Sequence, residues 1–245
     1  MYHSDIELKN GAFVVADAHF SLQRPQLQNF IKDIHSNKLQ PTQLILMGDI
    51  FDALFGEIKL SIEINKEIIS LINDISNKIE VIYLEGNHDF NLKTIFPNVK
   101  VFRIFEQPII CKYNDKKIAL AHGDFDGVLS YKIYTKIVRN RFVLKFLKLF
   151  DKALLNKLDN YLDKKNDCKD FIGFKDFISK RCLYKYNCDY FIEGHYHQNK
   201  TINYDKFTYI NIGAFACNQR YFIVNSSKDK ELLREKLFYK GSEDG

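Results

Sequence analysis

The sequence predicts an α/β fold built on a partly parallel sheet. Three observations predict it. Short apolar runs alternate with segments of helical periodicity through the first part of the chain, which is the pattern of βαβ units. The runs have the length and β-branched character of buried strands. Five of them stop at clusters of Asp, His, Asn and Gly, where open α/β sheets hold their ligands.

In order, Ala12 to Ala16 reads as a strand ending in Asp17-Ala18-His19. The polar Met1 to Asp5 that leads into it lacks the character of a secretory signal. Leu22 to Leu39 reads as a helix, with Leu27, Phe30, Ile31 and Ile34 spaced for one buried face. Leu44 to Met47 is a second strand, ending in Gly48-Asp49-Ile50-Phe51-Asp52, and a helix over roughly Ser61 to Ile75 follows. Val81 to Leu84 is a third strand, and Gly86-Asn87-His88-Asp89 comes directly after it. Beyond Pro97, Val99 to Phe105 and Pro108 to Tyr113 read as strands, and Asn114-Asp115 turns the chain into Lys117 to Ala121, which ends in His122-Gly123-Asp124. Residues 130–181 are mostly helical in pattern. Tyr190 to Ile192 leads into Gly194-His195-Tyr196-His197, Thr208 to Ile212 and Tyr221 to Val224 read as closing strands, and Gly241 to Gly245 as a disordered tail.

With 245 residues the chain can bury one sizeable core. Its 46% hydrophobic and 27% charged content is that of a soluble globular enzyme, and no apolar run reaches transmembrane length. Five cysteines without Cys-x-x-Cys spacing argue against a disulfide framework or zinc ribbon and for a reducing compartment, the cytoplasm. The net charge of +5 is unevenly spread. Residues 130–181 hold fourteen Lys and Arg against six Asp, a local +8 that leaves the rest at −3.

The strand ends carry the chemistry. Five of the seven histidines lie in them, and only His3 and His35 fall outside. Any one of these motifs alone reads as a turn or a helix cap, but five coincidences at five strand ends point to a metal site. Carboxylates, imidazoles and one carboxamide, without a thiolate, suit Mn²⁺ first, with Fe or Zn²⁺ as alternatives. The candidate ligands are too many for one ion, so two divalent ions are expected, roughly 3.5–4 Å apart and bridged by a carboxylate.

In this order the five motifs resemble the calcineurin-like metallophosphoesterase superfamily, over about residues 12 to 215. The resemblance implies an αββα sandwich of two mixed β-sheets, a single domain over residues 1–245 with a helical lid insertion at about 126–182. By motif it implies that Asp17, His19 and His197 hold one metal. Asn87, His122 and His195 would hold the other, and Asp49 would bridge them. His88 would approach the phosphate, Asp89 would orient its ring, and Asp52 would support the loop.

Asp49-Ile50-Phe51-Asp52-Ala53-Leu54-Phe55-Gly56 and Asn87-His88-Asp89-Phe90 are similar to the UDP-2,3-diacylglucosamine pyrophosphohydrolases of lipid A synthesis, as is a helical insertion directly after His122-Gly123-Asp124. That likeness implies cleavage of a nucleotide-lipid pyrophosphate into UMP and diacylglucosamine 1-phosphate. The best-known members of that group carry Arg where this chain has His88, so another metal-dependent phosphodiesterase or a nuclease is the alternative. Nucleic acid is not expected as a partner, because the insertion's aromatics alternate with Leu as if packed.

From Phe142 to Leu162, polar residues recur at steps of three and four, beginning Lys145, Lys148, Lys152 and Asn156. They leave a broad apolar face that includes Phe146, Leu147 and Phe150. A basic amphipathic helix of this kind suits an anionic inner-membrane surface or a groove for acyl chains, and the competing reading is an ordinary helix with a solvated lysine edge. Arg139, Arg141, Asn166 and Lys169 are candidate phosphate or sugar contacts by charge and position. A cytoplasmic protein peripherally attached to the inner membrane is the resulting expectation, and the oligomeric state stays open.

Overall fold

The computed structural model describes residues 6–127, 129–140, 143, 168–225 and 231–238. The chain begins with β1 (Ile6–Glu7), β2 (Phe13–Val15), α1 (Gln26–His35), β3 (Gln43–Leu46) and β4 (Leu54–Phe55). Then come α2 (Lys59–Ile64), α3 (Lys66–Ser76), β5 (Glu80–Leu84), β6 (Asp89–Phe90), β7 (Lys100–Phe102), β8 (Ile109–Tyr113) and β9 (Lys116–Ala121). Two further helices are described, α4 (Leu129–Val138) and α5 (Phe174–Ser179), before β10 (Tyr190–Glu193), β11 (Lys200–Asn203) and β12 (Thr208–Asn211). The short helix α6 (Phe215–Asn218), β13 (Arg220–Val224) and β14 (Leu233–Leu237) complete the described elements.

The strands form two six-stranded sheets and a two-stranded pair of β4 and β6. One sheet runs β14-β13-β2-β3-β5-β7, parallel from β2 to β7 with β13 and β14 antiparallel at one side. The other runs β1-β8-β9-β10-β12-β11, parallel through β9, β10 and β12 with antiparallel pairs outside them. Both sheets are therefore mixed.

Strand periodicity explains the layering. Successive side chains of a strand point to opposite faces, so Ile45 and Met47 join the core between the sheets, with Leu120 and Ile192 from the facing sheet. Leu44 and Leu46 face the other way, onto Phe30 and Ile31 of α1 and Ile68 and Ile72 of α3. Ala119, Phe191 and Tyr209 likewise meet Phe174 and Ile178 of α5. Helices outside two stacked sheets make the αββα sandwich. A run buried on both faces has no polar alternation, which is why these strands read as uninterrupted apolar segments.

Several boundaries differ from the sequence reading. The first helix starts at Gln26 rather than Leu22, because Pro25 sets its first turn and Leu22 lies 70% exposed ahead of it. The helix expected over Ser61 to Ile75 is two helices that break at Asn65. The Asn65 side-chain amide donates to Ala53 O and Ser61 O, the local competition with helix hydrogen bonding that Asn offers. β11 and β14 escaped notice because most of their residues are exposed and polar. The cysteine spacing argues against a disulfide framework, yet one bond is present. Cys168 and Cys217 are joined, with Cα atoms 5.7 Å apart across a sequence separation of 49, while Cys111, Cys182 and Cys188 are free. Spacing in sequence carries no sign of a pair that only folding brings together. Gly241 to Gly245 lie outside the described residues.

Candidate metal centre

Parallel pairing puts the carboxyl ends of β2, β3 and β5 on one edge and those of β9 and β10 on another. The loops from these ends are stitched together by backbone bonds. Asp17 N donates to Gly48 O, His19 N to Asp49 O and Gly194 N to His122 O. Asp17, His19, Asp49, His195 and His197 all adopt positive φ, between 45° and 61°. That region is unfavourable for side chains other than Gly, Asn, Asp and His, and it clusters where a site dictates the backbone. Gly86 is required by close approach, since a Cβ there would lie 2.2 Å from Asp49 Oδ1.

The structure brings the seven expected ligands together. Asp17, His19 and His197 form one group and Asp49, His122 and His195 a second, with the ligand atoms of each group within 4.8 Å of one another. Asn87 faces the second group, its Oδ1 3.4 Å from His122 Nε2. Asp49 Oδ2 is also 3.4 Å from His122 Nε2, and His197 Nε2 is 3.2 Å from Asp17 Oδ1. His19, Asp49 and His88 make a third group, so Asp49 stands between the others.

Hydrogen bonds fix which ring atoms face inward. A carbonyl only accepts, so Met47 O, 2.9 Å from His122 Nδ1, places the proton on Nδ1 and turns the Nε2 lone pair inward. There it meets oxygens of Asn87 and Asp49, which are also acceptors. Lone pairs converging in a buried site call for a cation. His19 repeats the point: it is 1% exposed, and its Nε2 has no hydrogen-bond partner. Burial depresses the His122 imidazole, but Asp49 outweighs it and holds the ring well above its ordinary value. Burial also raises Asp17 and Asp49, yet the imidazoles, His197 for the first and His122 for the second, leave both lowered. Burial and the His122 charge push His195 down to about 4, which keeps its lone pair available. The donor set fits divalent ions.

Two of the expected roles require separate treatment. His88 Nδ1 lies 3.1 Å from Asp52 O and its Nε2 3.9 Å from Asp49 Oδ2. The ring is thus aligned by a backbone carbonyl, and the expectation that Asp89 orients it is corrected. Asp89 is fully buried and instead accepts the backbone N–H groups of Asp49, Ile50, Phe51 and Gly86 and the Tyr83 hydroxyl. Those donors lie too close at hand for the carboxylate to reach the ring. Asp52 accepts from Arg24 at 2.6 Å and sits 3.2 Å from His19 Nδ1, outside the ligand groups.

The candidate substrate contacts scatter. Arg139 is 7% exposed, and its guanidinium meets Gly86 O at 2.6 Å and Glu85 at 3.3 Å. Lys169 is exposed, and its carbonyl accepts from Gln198. Arg141, Phe146, Leu147, Phe150 and Asn166 lie outside the described residues. Sequence reading missed the residues that hold the loops from behind. Gln107 bridges two of them, donating to Glu85 O and accepting from His122 N at 2.7 Å. Asn211 donates to Glu193 O and Gly194 O and accepts from Gln198 N. A lone polar residue inside an apolar run, as in Tyr209-Ile210-Asn211-Ile212, was the available signal.

Two ligand groups at the facing edges of a ββ sandwich define a metal-dependent phosphoesterase architecture. Residues 12–199 match the family model for calcineurin-like phosphoesterases, and the chain belongs to that family. It is a hydrolase of phosphoric ester or anhydride bonds that uses divalent metal ions. Within that class it is 27% identical over 226 residues to a UDP-2,3-diacylglucosamine hydrolase of Histophilus somni (strain 129Pt), covering 88% of this chain and 96% of that protein. A protein of the same name from Haemophilus influenzae (strain PittGG) is 25% identical over 218 residues, covering 84% and 91%. Among solved structures, an archaeal phosphodiesterase is 16% identical with a TM-score of 0.45, covering 93% of this chain and 99% of that one.

Proposed function

We propose that this chain hydrolyses the pyrophosphate of UDP-2,3-diacylglucosamine, releasing UMP and 2,3-diacylglucosamine 1-phosphate, with two divalent ions, Mn²⁺ first among them. The observation that carries the reading is the pair of ligand groups, linked by a third that shares His19 with one and Asp49 with the other, taken with the name shared by relatives that align over most of the chain. Asp17, His19 and His197 hold one ion in this reading, Asn87, His122 and His195 the other, and Asp49 both. When bound, such a pair supplies an activated water and stabilises phosphoryl oxygens.

The chain's own residues do the rest. The carbonyl of Asp52 keeps a proton on His88 Nδ1, so Nε2 is the ring atom that faces the phosphate. As imidazolium it donates to a phosphoryl or leaving oxygen, and charge developing there is what a fixed donor stabilises. The insertion, with its net positive charge, supplies the surface for acyl chains and for an anionic inner-membrane leaflet, on the cytoplasmic side. No helix among the described residues is long and apolar enough to cross a membrane.

The test is purified protein incubated with Mn²⁺ and UDP-2,3-diacylglucosamine, with UMP followed by mass spectrometry. UMP release that stops on chelation supports the reading. Intact substrate beside active hydrolysis of a small chromogenic phosphodiester removes the substrate assignment and leaves the reaction class.

A further inference from the structure

Two buried arginines come from the two ends of the insertion, and both reach the same half of the metal centre. Arg139 directly follows α4. It donates to the carbonyl of Gly86, the residue before Asn87, and pairs with Asp124 at 3.8 Å, two residues after His122. Glu85 at 3.3 Å and the Phe90 ring, 4.9 Å from its guanidinium carbon, complete its seat. Arg181 follows α5, and its side chain is 7% exposed. It donates to Gly123 O at 3.4 Å, directly after His122, and to Glu193 Oε1, two residues before His195. Asp126 grips it in a fork at 2.8 and 2.9 Å, and Phe125, Phe177 and Tyr196 surround the guanidinium.

The other half is held differently. Ala216 N and Phe215 N of α6 donate to Asp17 O and Ala16 O. Asn211 holds Gln198, the residue after His197, and also Gly194 beside His195, and Arg24 reaches His19 through Asp52. The insertion meets this half through other contacts, the Cys168–Cys217 bond to α6 and the bonds of Gln198 with Lys169 O and Phe171 N.

We propose that Arg139 and Arg181 are positioning residues that set Asn87, His122 and His195, so that their loss weakens the metal affinity of this group more than that of Asp17, His19 and His197. The proposal rests on the two-ion reading of the centre but on no particular substrate. Backbone carbonyls beside a ligand fix the ligand's direction, and a rigid bidentate fork holds a carbonyl and a carboxylate together as no other side chain does. Loss of such outer contacts costs metal affinity without removing a ligand.

The experiment titrates Mn²⁺ into chelator-stripped protein by calorimetry, with the two binding steps assigned by His19→Ala and His122→Ala. Arg139→Met and Arg181→Met are expected to weaken the His122 step by about 10- to 100-fold, the usual scale for an outer-shell contact, and to leave the His19 step within about twofold. kcat on a small phosphodiester falls in parallel at limiting Mn²⁺ and recovers in excess, with KM little changed. Asp126→Asn, which loosens Arg181 without emptying its seat, gives the same asymmetry in weaker form should Arg181→Met fail to fold. Two unchanged steps, or two weakened equally in folded protein, overturn the proposal. Wild-type protein that binds a single ion removes the two-ion reading instead, and the proposal then falls if the arginine variants leave that ion's affinity unchanged.

Discussion

Asp89→Asn tests whether Asp89 is a brace for the metal loops or an aid to His88. Its Oδ1 takes the N–H groups of Asp49 and Gly86, and Oδ2 takes those of Ile50 and Phe51 with the Tyr83 hydroxyl. Asparagine keeps one acceptor oxygen. Its better orientation turns the amide nitrogen toward Asp49 N and Gly86 N, leaving two buried donors facing a donor. At about 1–3 kcal/mol for each orphaned group, the substitution costs about 2–6 kcal/mol. For a chain of this size that lowers Tm by roughly 5–20 °C. Because the orphaned groups belong to Asp49 and the residue before Asn87, Mn²⁺ affinity falls as well. Scanning calorimetry with and without Mn²⁺ reads both effects. A variant that melts within about 1 °C of wild type, binds Mn²⁺ normally and loses only turnover would refute the brace and return Asp89 to His88.

The same residue sets a pH dependence. Burial and the nearby Asp49 carboxylate push Asp89 up to about 7 from 3.8, against the Tyr83 and Gly86 bonds that pull it down. Between those values the native protein holds a proton that the unfolded chain has released. Stability therefore falls as pH rises through that window, with the contribution complete below 3.8 and lost above about 7. Urea denaturation in chelator should give wild type a more negative slope across this window than Asp89→Asn, the difference separating Asp89 from the slopes of His195 and His122 common to both, and equal slopes in the two proteins would contradict the assignment.

Other substitutions probe the rest of the centre. His88→Ala should lower kcat by about 10²-fold with two ions still found by elemental analysis; loss of an ion would make His88 a ligand in the group it forms with His19 and Asp49. Gly48→Ala puts a Cβ 2.5 Å from His122 Nδ1 at a φ of +83°, so Mn²⁺ affinity should drop at least about tenfold, and unchanged affinity would mean the ring can move freely. Thiol titration of denatured, unreduced protein should find three groups, the free Cys111, Cys182 and Cys188, and five after reduction; five at the outset would dismiss the Cys168–Cys217 bond.

The candidate site was legible because its residues fall in short motifs at the ends of runs that read as strands. Asp17 with His19, Gly86 with Asn87, and His195 with His197 need no tertiary information to be found. What braces them does. Gln107 joins the Glu85 and His122 loops across 15 residues or more, and Arg181 reaches Gly123 across 58. Each is one polar residue whose partner is set by the packing of two sheets. Asp89 shows the limit most plainly. The family resemblance gave it a task shared with His88, but neighbours along an extended backbone point to opposite sides, and the Asp89 side chain turns away from the ring into the Asp49 loop.

The backbone of the ligands argues for the same division of labour. Five of the candidate ligands hold left-handed conformations, each disfavoured by about 1–3 kcal/mol, so the loops would relax unless something beside them held the turn. At Asp17 and Asp49 the carbonyl is held, by Ala216 N and by His19 N. At His195 the held group is the amide, which donates to the Asp17 carboxylate. His122 and Asn87 lack that strain and are held by side chains instead, Gln107, Arg139 and Arg181 reaching the residues around them. One part of the centre is thus fixed by backbone geometry within the sandwich, and the other by long side chains, two of them rooted in the insertion.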